Sequence, residues 1–170
     1  QKLTLMKTSA DSLKKSADAL NDSSLWEKKK IKKKDEKTGE EIEVEDYDWD
    51  KITKAVKSFV EDYNDVVKEA GESNTKDVLR NASWMTGMTD KNSNMLAKIG
   101  ITIGKGNKLE LDEDALKQAD ISSLKTVFTG YNSFVSKILQ KATGISNAAN
   151  RASATYTNNG TYSKTDSSLT

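Results

Sequence analysis

Few side chains in this sequence are spaced so that they could do chemistry. Three acidic residues run together at Asp112, Glu113 and Asp114, lysines crowd residues 28–34, and Gly104-Lys105-Gly106-Asn107 forms a short glycine-rich loop. An acidic cluster is a candidate calcium site, but the EF-hand spacing of alternate acidic ligands closed by a distant Glu is missing. Asp112 stands instead where a helix N-cap belongs, with Glu113 and Asp114 in the first turn, facing the positive end of the helix dipole. The lysine run could bind phosphate, yet the acidic block that follows at residues 40–50 would repel it. The glycine loop leads into a strand-like stretch rather than a helix N-terminus, so it lacks the amide cradle of a phosphate loop.

The missing residue types narrow the chemistry further. The 170 residues include no Cys, no His and no Pro. Disulfides and thiol chemistry are thereby excluded. Ordinary zinc, copper or haem ligation loses its ligands, and serine–histidine or cysteine–histidine catalysis loses its base or nucleophile. Carboxylate pairs are plentiful, but no apolar setting surrounds them to raise a pKa for general acid work. The lysines sit in charged runs that would not activate an amine. The expectation is a chain that is not an enzyme, with no catalytic residue, cofactor, metal or small-molecule substrate.

Charge and hydropathy point the same way. A net charge of +1, from 27 basic and 26 acidic residues, creates no overall field toward nucleic acid or an anionic membrane. No apolar run approaches the ~20 residues that cross a bilayer. A mean hydropathy of −0.73 suits slender helices with narrow apolar seams and wide charged faces. The first residue, Gln1, reads as the start of a fragment or processed chain, so the lack of a leader says nothing about export.

The elements that would position these residues are mostly helical. Leu3, Met6, Ala10, Leu13, Ala17 and Leu20 step by three and four, which predicts a first helix over residues 3–21. The lysine-rich and acidic blocks, with a turn at Lys37-Thr38-Gly39-Glu40, predict a charged hairpin or loop. A second helix is expected from an Asp48 N-cap to Ala70, with Gly71 as its stop and Ile52, Val56, Phe59, Tyr63, Val66 or Val67, and Ala70 as its seam. Thr75 would cap a third, through Val78, Leu79, Ala82 and Met85, that Gly87 or residues 89–94 interrupt or end. Trp84, Met85 and Met88 read there as core. Asn81-Ala82-Ser83 and Asn159-Gly160-Thr161 match the glycosylation sequon, a short pattern of little weight.

Residues 96–116, LAKIGITIGKGNKLELDEDAL, read as a helix end, a tight hairpin and a new helix start. Gly100 suits a helix C-terminus, and Ile101-Thr102-Ile103 and Leu109-Glu110-Leu111 alternate as half-buried strands do. Ser122 or Ser123 would cap the longest helix. Leu124, Phe128, Tyr131, Val135, Ile138, Ala142, Ile145, Ala149 and Ala152 hold its seam for about four heptads. That seam outlasts any hairpin partner. Leu124, Phe128, Tyr131, Val135, Ile138, Ala142 and Ile145 are therefore the candidate subunit interface. Beyond Ala154 the composition turns polar, with one strand expected around Tyr156 or Tyr162.

The fold class that follows is mainly α: an elongated antiparallel helical bundle or coiled coil with a small β-hairpin between helices. Residues 1–154 form the bundle, with a charged projection at 27–47 and the β-hairpin at 100–111. Residues 155–170 form a polar C-terminal tail.

Three stretches carry a family resemblance. VKSFVEDYNDVV at residues 56–67, LAKIGITIGKGNKLELDEDAL at 96–116 and VFTG at 127–130 resemble, in the same order, the C-terminal conserved region of the bacterial flagellar filament cap protein family, or hook-associated protein 2. The likeness spans about residues 51–144. It implies an exported axial-type protein at the extracellular flagellum, whose helical core packs against neighbouring subunits, either copies of itself or other axial proteins. The large variable β-rich domains of that family do not fit in this chain, and residues 28–50 stand in their place as a short remnant. Phe59, Tyr63, Ile99, Ile101, Leu109, Leu111, Phe128 and Val135 should be architectural core. The alternative is a secreted or cell-surface helical binding module of adhesin type, using the charged projection and the Tyr-rich tail.

Overall fold

Two serine-to-carboxylate hydrogen bonds fix how the first two helices run. In the computed structural model, the backbone is described for residues 2–161 and the side chains for residues 2–154. Helix α1 spans Lys2–Leu20 and α2 spans Trp49–Gly71. Ser9 of α1 donates to Glu69 of α2 at 2.6 Å, and Ser16 donates to Asp62. One number rises as the other falls, so the helices are antiparallel. The α1 seam closes as its spacing predicts: Met6, Ala10, Leu13, Ala17 and Leu20 are all buried, and Leu3 packs at the edge of the core.

Helix α2 begins at the expected cap, with the Asp48 carboxylate accepting from the Lys51 amide at 3.1 Å. Of the two alternatives for its seam, Val66 is buried and Val67 half-buried. Gly71 does not stop the helix: it forms the last helical residue, and Glu72 is the C-cap. Helix α3, Lys76–Lys91, likewise runs through Gly87 and follows a Thr75 N-cap. A short α4, Ser93–Ala97, then leads to the hairpin.

Strands β1, Lys29–Lys34, and β2, Glu41–Asp46, form one antiparallel pair, in register from Lys29↔Asp46 to Lys34↔Glu41. This is the charged hairpin, and every residue of its tip from Glu36 to Ile42 is exposed. Strands β3, Ile101–Ile103, and β4, Leu109–Leu111, form a second antiparallel pair through Ile101↔Leu111, Thr102↔Glu110 and Ile103↔Leu109. The connecting turn places Gly106 and Asn107 at φ 70° and 64°, where Gly is free and Asn is among the tolerant side chains. Helix α5, Glu113–Gln118, starts with Asp112 accepting from the Ala115 amide at 3.1 Å.

The long helix expected over residues 122–154 is two helices. α6 covers Ile121–Phe128, and its cap is Asp120, which accepts from the Ser123 amide at 3.3 Å, rather than Ser122 or Ser123. Gly130 then takes φ +99°, which carries the chain out of helical geometry, and its amide donates to the Asn21 side chain at 2.9 Å. α7 starts afresh at Phe134 and runs to Thr161. Tyr156 is therefore on helical backbone and not in a strand, and Tyr162 lies outside the described residues.

Asn21 touches Gly130 just before α7, while Asp11 accepts from Ser146 at 2.7 Å within it, so α1 and α7 are antiparallel. The same holds for α3 and α7, which meet at Asp77–Arg151, Asn81–Gly144 and Trp84–Lys141. The fold is mainly helical with two small antiparallel sheets, around one continuous apolar core. Aromatic rings fill its end nearest the charged hairpin. Trp26 stacks on Phe128 at 5.4 Å between centroids, and Phe59 meets Phe128 and Phe134 edge-on. The Trp26 ring nitrogen donates to the Leu20 carbonyl at 2.7 Å, so this buried indole is also satisfied. Among the described residues no helix is long and apolar enough to cross a membrane.

Candidate subunit interface

The seven candidate interface residues fall into two unequal groups. Leu124, Phe128, Val135, Ile138, Ala142 and Ile145 are buried in the chain's own core. Tyr131 is 88% exposed, because the break between α6 and α7 swings it off the seam. The spacing that aligned all seven belongs to one continuous helix. Once Gly130 interrupts that helix, Tyr131 no longer shares a face with its neighbours.

Two further apolar side chains stand on the surface of α3. Trp84, read from the sequence as core, is 53% exposed, with the Lys141 ammonium 4.6 Å from its ring centroid. Leu79 is partly exposed one and a half turns before it. Met85 is buried as expected, and Met88 packs at the core edge. At the start of α1, Leu3, Leu5 and Met6 line a mostly apolar groove of about 430 Å³ together with Glu69 and residues 72–75. Glu69 Oε2 accepts from Ser9, while its buried Oε1 has no hydrogen-bond partner among the described residues.

The polar ties between helices set register rather than chemistry. Asp62 is pushed above the usual carboxylate range, chiefly by burial, which the Ser16 hydroxyl and two neighbouring acids modify. Asp11 is held below that range, first by its hydrogen bond from the Lys7 ammonium and then by Ser146 and Lys14, against some burial. The Tyr63 hydroxyl is pushed up to about 12 by burial. It lies 2.7 Å from Thr89 Oγ1, which itself donates to the Met85 carbonyl, so Tyr63 is the donor of that pair. A buried tyrosine used this way locks α2 to α3.

Residues 96–116 form the junction that the helices converge on. Gly100 has φ +93°, and a Cβ there would lie 2.7 Å from the Asp112 carbonyl. Its own carbonyl accepts from the Asp112 amide at 2.8 Å, extending the β3–β4 pairing into the α5 cap. The sequence alone does not single out Asn64. Its side-chain amide donates to the Leu109 carbonyl at 2.9 Å and accepts from the Leu109 amide at 2.7 Å. A helix side chain thus imitates a neighbouring strand. The only sequence-level hint is Asn64 standing beside Tyr63 in the resemblance segment, since its partner is 45 residues away. Asp112, Glu113 and Asp114 act at the α5 start, with Asp112 capping and the other two in the first turn.

The charged hairpin keeps its signs on separate strands. β1 carries lysine at every position but Ile31, and β2 carries Glu41, Glu43, Glu45 and Asp46. Ion pairs cross between them at Lys33–Asp46, 2.8 Å, and Lys32–Glu41, 3.8 Å. At the root, the Lys28 ammonium lies 5.7 Å from the Tyr47 ring, which meets Trp49 edge-on.

Comparison with known proteins adds a family. The model of the flagellar hook-associated protein 2 C-terminus matches residues 73–170, more than half of the chain. No curated protein and no solved structure matches. The matched span takes in the Gly100 junction and the 127–130 segment, while the α2 segment with Tyr63 and Asn64 lies before it. The junction is thus both the point that joins α2, α4 and α5 and part of what the family model recognises: this chain belongs to the flagellar hook-associated protein 2 family and carries its C-terminal region.

Proposed function

We propose that this chain is a non-enzymatic, cap-like structural subunit of the bacterial flagellum. It acts outside the cell, through helix–helix contacts with neighbouring subunits that are either its own copies or axial proteins. The observation that carries this reading is the family match over residues 73–170. The packing supports the same reading: α1 runs antiparallel to α2 and α7, and the candidate polar groups are engaged in caps and helix register.

Six of the seven candidate interface residues lie inside this bundle, so subunit contacts fall on its outer surface. Tyr131, Trp84, Leu79 and, on α1, Leu5 are apolar anchors exposed there, and exposed aromatics flanked by polar side chains are the usual centres of an interface. The test is co-sedimentation with purified filaments, paired with rescue of filament growth in cells lacking their own cap protein. The expected result is binding at filament ends that Trp84→Ala or Tyr131→Ala weakens, with an unchanged circular dichroism spectrum. Absence of both binding and rescue would sink the reading.

A further inference from the structure

The charged hairpin has two open edges of opposite sign. β1 and β2 pair only with each other, so the outer edge of each strand has no strand partner among the described residues. The Asp35 amide donates to the Glu40 carbonyl at 2.7 Å, which fixes the phase of the ladder. Antiparallel pairs alternate, so Lys33/Ile42, Ile31/Val44 and Lys29/Asp46 point their backbone groups inward. The outward N–H and C=O groups therefore belong to Lys30, Lys32 and Lys34 on one edge and to Glu41, Glu43 and Glu45 on the other. Because strand side chains alternate, those six also share one face of the sheet, as a lysine column beside a glutamate column. The other face carries Ile31, Val44 and Ile42, the last of them 40% exposed.

We infer that this hairpin is a head-to-tail docking edge for a second copy of the same chain, in which β1 of one copy pairs with β2 of the next. Charge decides the orientation. Joining two β1 edges sets lysine columns side by side, and joining two β2 edges does the same with glutamates; both are disfavoured. Joining β1 to β2 places every lysine column between glutamate columns and continues the Ile31–Val44–Ile42 strip. Sliding a copy sideways leaves its β2 antiparallel to the first copy's β1, so one regular antiparallel sheet results. Charged edge residues ordinarily keep sheets apart. Here the signs exclude like edges and admit the unlike one, and that same exclusion supplies specificity. Strand twist of roughly 20–25° per strand turns successive helical bodies by about 45°, which fans them out around the shared sheet. The contact is heterologous, so it builds rings or chains rather than twofold dimers.

This inference goes beyond the family role and does not depend on it: a chain that fails to bind filaments can still pair at these edges. Sedimentation velocity of the whole chain over a wide concentration range tests it. The expected result is a shift from monomer to larger species. That association should weaken at least about tenfold between ~0.1 M and ~1 M salt, where the screening length falls from about 10 Å to about 3 Å. Lys32→Pro removes an outward amide that an edge position can spare, and it should leave the protein monomeric. A six-fold charge swap, with Lys30, Lys32 and Lys34→Glu and Glu41, Glu43 and Glu45→Lys, preserves every cross-strand pair within the hairpin. It should self-associate like the original chain, with the same salt dependence. A strict monomer at all concentrations, undiminished association of Lys32→Pro, or loss of self-association in the charge-swapped chain would each overturn the inference.

Discussion

The two hairpins of this chain invert the expected relation between strand length and order. β1 and β2 are six residues each, yet the pair projects with its tip exposed. β3 and β4 are three residues each, yet Ile101 and Leu109 are buried and the pair is built into the core. An isolated two-stranded hairpin is marginal in water whatever its sequence. The short pair escapes that limit through an apolar face seated on helices and the Asn64 amide that serves as an extra strand. The long pair has charge in place of both. Ladder length does not position a hairpin; a third surface does.

Truncation of one apolar residue in each pair should give the largest contrast. Ile101→Ala removes a fully buried side chain and should cost about 3 kcal/mol of unfolding free energy, whereas Ile31→Ala, half-exposed, should cost under about 1 kcal/mol. Urea denaturation of the two variants measures both. Equal losses would show that the long hairpin is packed as firmly as the short one.

Next in size is the clamp. Asn64→Ala leaves the Leu109 amide and carbonyl short of their partner, at a cost of about 2 kcal/mol. Amide exchange should speed up at Leu109 and stay unchanged at Ile31. A substitution of the same kind on the projection, Lys33→Ala, removes an exposed ion pair and should change stability by under about 0.5 kcal/mol.

The smallest effect separates the pairs by pH. Asp46 is held below its ordinary value of 3.8, first by the hydrogen bond from Lys33 and next by the Tyr47 amide. A carboxylate whose folded pKa is depressed contributes its stability above the unfolded value and loses it as pH falls through the folded one. Cross-strand protection in β1–β2 should accordingly fade as the pH drops below 3.8, while β3–β4, held by apolar contacts and an amide, should keep its exchange rates. Loss of both together would mean that acid opens the core, not the projection.

How much of this the sequence carried depends on how local each signal is. The α1 seam, the Asp48 and Asp112 caps and the alternation at Ile101-Thr102-Ile103 all rest on neighbours within a few residues, and all three form as read. The break at Gly130 was hidden because Leu124, Phe128, Tyr131 and Val135 keep helical spacing across it. Only the Asn21 side chain, 109 residues away, shows why the chain turns there. Trp84 departs from the core position its type suggests for a related reason. Its apolar ring suits a core, but its α3 position faces Lys141 on α7 and not the interior. Asn64 was invisible as a clamp, since a polar residue on a helix normally means solvent. Of the candidate interface, the spacing located the buried seam but could not tell an internal partner from an external one.

The pairing of Lys29 with Asp46 brings the two ends of the projection side by side at the surface of the helical body. To the core, the chain between them is a closed loop whose ends sit at a fixed strand-to-strand spacing. Lengthening a loop already closed in this way costs only a slowly growing entropy, about 0.6 kcal/mol for each doubling. The root of the hairpin is thus a socket: sequence of almost any size can be exchanged between residues 30 and 45 without the helices having to repack. What is displayed there can change while the helical body stays the same.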